Sequence, residues 1–161
     1  MKKKLEDDYL ARSLRGRIQY FATAYRESHD GDKGRVAIRL DGNEILKGNT
    51  FDKYDKIYQA WRELNRESWK KSASIALERG GFDQYSFYVA FEEYDNQSIE
   101  ASLESANALV RLWAVLDRRV GKRRLQGLGE KMKQEIDFVR FFYMIRMEAE
   151  GLSLKQEEST A

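Results

Sequence analysis

His29 is the only histidine of the chain and stands beside Asp30, with Gly31 and Asp32 following. An imidazole next to carboxylates can act as a general base tuned near neutral pH, so a hydrolase using His29 with Asp30 or Asp32 is one chemistry this segment offers. Asp30, Asp32 and Asp41 also resemble fragments of a calcium loop. Arg35, however, occupies the sixth position where such a loop needs glycine, and the flanking residues read as strands rather than helices. A solvated hairpin turn needs Asp and Gly at these same places, and this is the preferred reading. Gly127-Leu128-Gly129 supplies a fragment of a dinucleotide loop, but it follows a basic helical segment rather than a strand and lacks the third glycine, so it reads as a helix stop and restart.

The common motif routes to an enzyme fail by residue type, which leaves only enzymes without such motifs. A single histidine excludes sites that need two imidazoles. The absence of cysteine excludes a thiol nucleophile, a zinc–thiolate site, an iron–sulfur cluster and a disulfide framework. There is no Gly-Lys-Ser/Thr phosphate loop, no His-Glu-x-x-His and no Gly-x-Ser-x-Gly. The expectation is therefore no catalytic, cofactor-binding or metal residue, and a non-enzymatic reading is preferred.

Charge is where the sequence is most specific. The chain holds 29 Lys and Arg against 27 Asp and Glu, a formal charge of +2 that is too small for a dedicated nucleic-acid coat. The sum hides a division. Residues 80–110 carry acids at Asp83, Glu92, Glu93, Asp95, Glu100 and Glu104 and no Lys or Arg, after which Arg118, Arg119, Lys122, Arg123 and Arg124 follow closely, preceded by Arg111. If one helix continues through this stretch, Arg111, Arg118 and Lys122 fall opposite Leu109, Trp113 and Leu116. Arg111, Arg118, Arg119, Lys122, Arg123 and Arg124 are thus the candidate partner-binding residues. Three uses compete: pairing with the acidic segment of the same molecule, recognition of an acidic protein surface, and contact with a nucleic-acid backbone. The functional expectation is a protein that engages another protein through this charged helical surface as an inhibitor or adaptor, with nucleic-acid binding as the alternative.

These residues need elements to hold them. A short amphipathic helix is read over 5–14 from Leu5, Tyr9 and Leu14. Ile18, Tyr20, Ala22 and Ala24 alternate with Phe21, Thr23 and Tyr25 as a strand would, and Val36, Ile38 and Leu40 do the same. Asp41-Gly42 is a two-residue hairpin turn returning into a third strand over 44–47. Phe51, Tyr54, Tyr58 and Trp61 mark one helical face, a second helical stretch ends at Gly80-Gly81, and Asp83 is placed to cap a helix running to Asp95. A short helix from Ser98 connects onward. Leu109, Leu112, Trp113, Leu116 and Val120 define the clearest amphipathic helix, and 130–150 reads as a long final helix at the centre of the core. Tyr20, Phe21 and Tyr25, interleaved with Arg17 and Arg26, would stack single-stranded bases if exposed, but are expected under the helices as core.

The expectation is one α+β domain over 1–161, in which a three-stranded antiparallel β-meander near the N-terminus packs against several α-helices, with residues 156–161 as a frayed tail. The chain has no proline, and glutamate and aspartate follow Met1-Lys2-Lys3-Lys4 where a secretion signal would be apolar. With mean hydropathy of −0.74, a cytoplasmic protein without membrane contact is expected. Oligomeric state is not set by these features.

Ser13-Leu14-Arg15-Gly16-Arg17-Ile18, Thr23-Ala24-Tyr25-Arg26, Ser28-His29-Asp30, Gly34-Arg35 and the block from Leu116-Asp117-Arg118-Arg119 through Val120-Gly121-Lys122-Arg123-Arg124-Leu125 carry a resemblance. In them the chain resembles a family of small, functionally uncharacterised bacterial proteins. The resemblance implies a bacterial or mobile-element cytoplasmic protein and assigns no catalytic residue.

Overall fold

Alternating side chains build the sheet. Strands β1 (Ile18–Ala24), β2 (Gly34–Leu40) and β3 (Asn43–Asn49) pair antiparallel in the order β1-β2-β3. Tyr20 lies opposite Ile38, and Ile38 opposite Leu46. Ile18, Tyr20, Val36 and Ile38 enter the core. Asp41 and Gly42 both take positive φ, 50° and 85°, which is the primed turn whose twist suits a two-residue hairpin. The computed structural model describes residues 1–27 and 32–153. His29 and Asp30, and the tail at 156–161, lie outside the described residues.

Eight helices follow among the described residues: α1 (Thr50–Glu63), α2 (Trp69–Glu78), α3 (Gln84–Asp95), α4 (Ile99–Leu103), α5 (Ala108–Leu116), α6 (Lys122–Gly127), α7 (Gly129–Met132) and α8 (Asp137–Ala149). Their starts obey capping chemistry. Asn49, Ser68 and Ser98 each accept an amide hydrogen in the first turn, and Asp83 forms a reciprocal box with Ser86. Gly80, at φ 85°, ends the turn after α2 as expected.

Four expectations are corrected. The N-terminal segment is a π-helical turn (Lys4–Tyr9) followed by a 3-10 turn (Arg12–Leu14) rather than one amphipathic helix. It still buries Leu5 and Leu14. The helix read through Val120 stops at Leu116, because the chain becomes extended at Asp117 and pairs with Leu10. The Arg118–Arg119 pair is therefore on a loop, not on a helical face. The final helix begins at Asp137, and it is not the central one. Phe141 and Met144 of α8 are 49% and 42% exposed, whereas every residue of α5 except Arg111 is buried. The composition of α5, almost wholly Ala, Leu, Val and Trp, leaves it no polar face for water. Trp113 sits at its middle, with the rings of Tyr20, Phe87, Phe91 and Tyr94 at centroid distances of 6.4, 5.6, 6.4 and 5.8 Å.

Gly48 in β3 is buried because its backbone lies directly against Phe82; a Cβ there would stand 2.2 Å from the Phe82 carbonyl oxygen. Gly127 has nothing within 4 Å of the same position. Gly48→Ala is expected to destabilise the fold by about 1–3 kcal/mol, and Gly127→Ala to be neutral or slightly stabilising. Urea unfolding midpoints measure both.

Candidate interaction surface

The loop that leaves α5 is built by hydrogen bonds from two distant segments. The Ala11 N–H donates to the Leu116 carbonyl at 2.9 Å, and the Arg118 N–H donates to the Tyr9 carbonyl at 2.8 Å. From the other side Arg146 of α8, 3% exposed, donates through Nη1 to the carbonyls of Val115 and Asp117 at 3.2 and 2.8 Å. Its Nη2 donates to the Val120 carbonyl at 2.7 Å. Its Nε donates to Glu150 at 2.8 Å, which also accepts from the Ser13 hydroxyl at 2.8 Å. Burial pushes the Glu150 carboxyl up, but Ser13 and Arg146 outweigh it and hold it below the usual carboxylate range.

On this frame the six candidate cations separate into two groups. Arg111 forks onto Glu135 with both bonds at 2.9 Å and also donates to the Ser105 carbonyl at 2.8 Å. Arg119 forks onto the buried Asp117 at 3.0 and 2.8 Å. Its guanidinium lies over the Tyr9 and Tyr94 rings at 4.9 and 5.8 Å, and Asp117 accepts a further bond from the Tyr94 hydroxyl. Arg124 pairs with Glu100 at 2.9 Å across two exposed side chains. Lys131 pairs with Glu104 at 2.6 Å, so the acidic segment does neutralise part of the basic one. Arg118, Lys122 and Arg123 are exposed and have no ion pair among the described residues. Arg118 and Lys122 line a groove of about 480 Å³ together with Arg12, Arg119 and Glu150.

Arg12 and Arg146 were not candidates in the sequence. Arg12 becomes relevant only when the 3-10 turn brings it beside residue 118. Arg146 carried a local signal: with Val139, Phe142 and Tyr143 it falls at positions i−7, i−4 and i−3 of one buried stripe, where a charge demands a partner.

The other candidate chemistry is not assembled in what the structure describes. Asp41 is held by the Arg17 fork at 3.0 and 2.9 Å at the hairpin turn. Asp32 lines a different groove with Thr50 and Asp83. Among the described residues no cluster of three His, Cys, Asp or Glu is suited to a metal ion. Tyr20 is buried beside Trp113, Phe21 lies under the guanidiniums of Arg35 and Arg39 at 5.3 and 5.2 Å, and Tyr25 stacks on Phe51. Those three rings do not form one open stacking platform. No helix is long and apolar enough to cross a membrane among the described residues.

The model of the SF0329 protein family matches residues 1–147, and the chain belongs to that family. No curated protein and no solved structure matches it.

The buried Arg146 and the exposed Arg118 differ in what their loss should do. Arg146→Met leaves the Val115 and Val120 carbonyls without these donors and Glu150 without the Arg146 charge, while Asp117 keeps the Val120 N–H, and a loss of about 3 kcal/mol or more is expected; Arg118→Ala should stay within about 0.5 kcal/mol of the parent. Chemical denaturation of both variants checks this contrast. Glu135 is a further probe. Burial raises its carboxyl, but the Arg111 fork and the Ile136 amide outweigh it and hold it low, while Lys4 and Tyr9 do the same for Asp95. Tyr9 in turn is pushed up to about 12, chiefly by donating to Asp95. Carboxylates depressed in the folded state contribute stability that is complete above their unfolded value of about 4 and is lost as pH falls through the lower folded values. Unfolding midpoints should therefore drop below about pH 4, and Glu135→Gln should lower the midpoint at pH 7 while making the acid decline shallower.

Proposed function

We propose that this member of the SF0329 protein family is a non-enzymatic interaction protein that grips an acidic surface of another protein, as an inhibitor or adaptor, through Arg118, Lys122 and Arg123, with Arg12 at the groove's other wall. One observation carries the reading: of the six clustered cations, Arg118, Lys122 and Arg123 reach solvent without an ion pair among the described residues, Arg118 on the loop whose carbonyls Arg146 binds and Lys122 and Arg123 in the first turn of α6. A guanidinium already satisfied by a carboxylate in its own molecule has little to offer a partner, whereas an unpaired cation can meet an acidic surface without first breaking an ion pair. A cytoplasmic setting, in a bacterium or on a mobile element, belongs to the same proposal.

The same cations would attract phosphates, so the test separates the two partners. Affinity capture from native lysate is run with the parent chain and with the triple variant Arg118→Glu, Lys122→Glu, Arg123→Glu, each with and without nuclease. Retention of a defined protein that survives nuclease and is lost in the triple variant, with an unchanged circular dichroism spectrum, is the expected outcome. Retention that nuclease abolishes, together with an affinity for DNA or RNA falling steeply with salt, transfers the surface to nucleic acid. Equal retention by the triple variant removes this surface from the function.

A further inference from the structure

A second surface, made from different elements, has the opposite chemistry. Phe51, Tyr54 and Tyr58 recur at spacings of three and four along α1, and they are 60%, 45% and 48% exposed. The face that α1 gives to the core is instead Ile57 and Ala60. With Tyr85 of α3, itself 45% exposed, these rings line a groove of about 590 Å³ that also takes in Asp32, Asp55 and Asp83. Large aromatic side chains gathered round one depression, without any core role, mark a recognition surface.

The rings of this groove already hold cations of the chain itself. The Lys33 ammonium lies 5.8 Å from the Phe51 ring centre, and the Lys53 ammonium lies 5.6 Å from that of Tyr54 while pairing with Asp83 at 3.1 Å. Asp32 and Asp55 are exposed and have no ion pair among the described residues. Three carboxylates thus face two ammonium groups, and the ring faces add their negative quadrupoles. An anionic ligand would meet this charge unfavourably. A purely apolar one would leave the carboxylates without a role.

We infer that this groove binds a basic peptide segment of a partner protein, with an arginine or lysine side chain lying on the Tyr54 and Tyr58 rings and its charge paired to Asp55. Arginine suits the site better than lysine, since a planar guanidinium stacks on a ring and forks onto a carboxylate at once. The surface is independent of Arg118, Lys122 and Arg123, so each can fail without the other.

The protein supplies its own reporter. The Tyr58 ring makes edge contacts with Trp61 and Trp69 at 6.2 and 5.1 Å, and Trp69 is 42% exposed, whereas Trp113 is buried. The capped peptide Gly-Arg-Gly-Arg-Gly is titrated into the full chain, followed by tryptophan emission and by calorimetry, with Gly-Glu-Gly-Glu-Gly as the comparison. The arginine peptide should give a saturable signal that the glutamate peptide does not. Tyr54→Leu, which keeps apolar bulk but removes the ring face, should weaken binding about tenfold. Asp55→Asn should weaken it and reduce its dependence on salt, and the triple charge-reversal variant above should bind like the parent. No saturable signal by either method, equal binding of the glutamate peptide, or unchanged affinity in Tyr54→Leu overturns the inference.

Discussion

An α-helix that ends inside a protein carries its unsatisfied carbonyls with it, and α5 ends at the centre of this one. Water cannot reach Val115 or Asp117, so donors must come from elsewhere in the chain. The backbone N–H of Ala11 serves Leu116, and the guanidinium of Arg146 serves Val115, Asp117 and Val120 together. Only arginine has a planar fork with enough donors for several acceptors spread along one loop; a lysine ammonium is a compact point charge. The buried charge is balanced by Glu150, which Ser13 ties to the 3-10 turn. One side chain therefore joins α5, the following loop and α8, and its counterion reaches the N-terminal segment.

The same junction explains which features were legible in the sequence. The first two strands, the Asp41-Gly42 turn and the Asp83 cap depend on residues close together in the chain and form where the pattern places them, although β2 begins already at Gly34 and buries Ala37 together with Val36 and Ile38. The end of α5 does not. Val120 continues the apolar spacing and is buried, yet the helix stops before it, because pairing with Leu10 and the Arg146 bonds reward an extended backbone at Asp117. Periodicity reports that residues share a face but not what the face meets. Phe51, Tyr54 and Tyr58 share one as expected, and it turns to solvent because Ile57 and Ala60 fit the core side more closely. For the basic cluster, sequence supplied the cations and the nearby Asp117 that pairs with Arg119, but not the partners of Arg124 and Arg111, which depend on Glu100 and Glu135 arriving from elsewhere in the chain.

Seen this way, the small net charge of +2 describes neither surface. Cations at Arg111, Arg119 and Arg124 meet carboxylates of the same molecule, and those at Arg118, Lys122 and Arg123 are left facing outward without one among the described residues. The aromatic groove divides likewise, with Asp83 engaged by Lys53 and Asp55 exposed. Local charge imbalance of this kind is what would let each surface choose a partner, while near-neutrality overall limits indiscriminate attraction to polyanions.

The pairing of Tyr9 and Ala11 with Leu116 and Arg118 also has a consequence in time. These partners lie about a hundred residues apart, so a chain made at about 5–20 residues per second holds the earlier segment unsatisfied for about 5–20 s before its acceptors and donors exist. The sheet has no such delay, since β1, β2 and β3 are neighbours in the chain and their hairpins close within microseconds of emerging. During synthesis the meander can therefore be present while Leu10 and its neighbours still wait for the end of α5 and the loop after it, a stage at which an apolar side chain destined for the interior is open to chaperones and to other nascent chains.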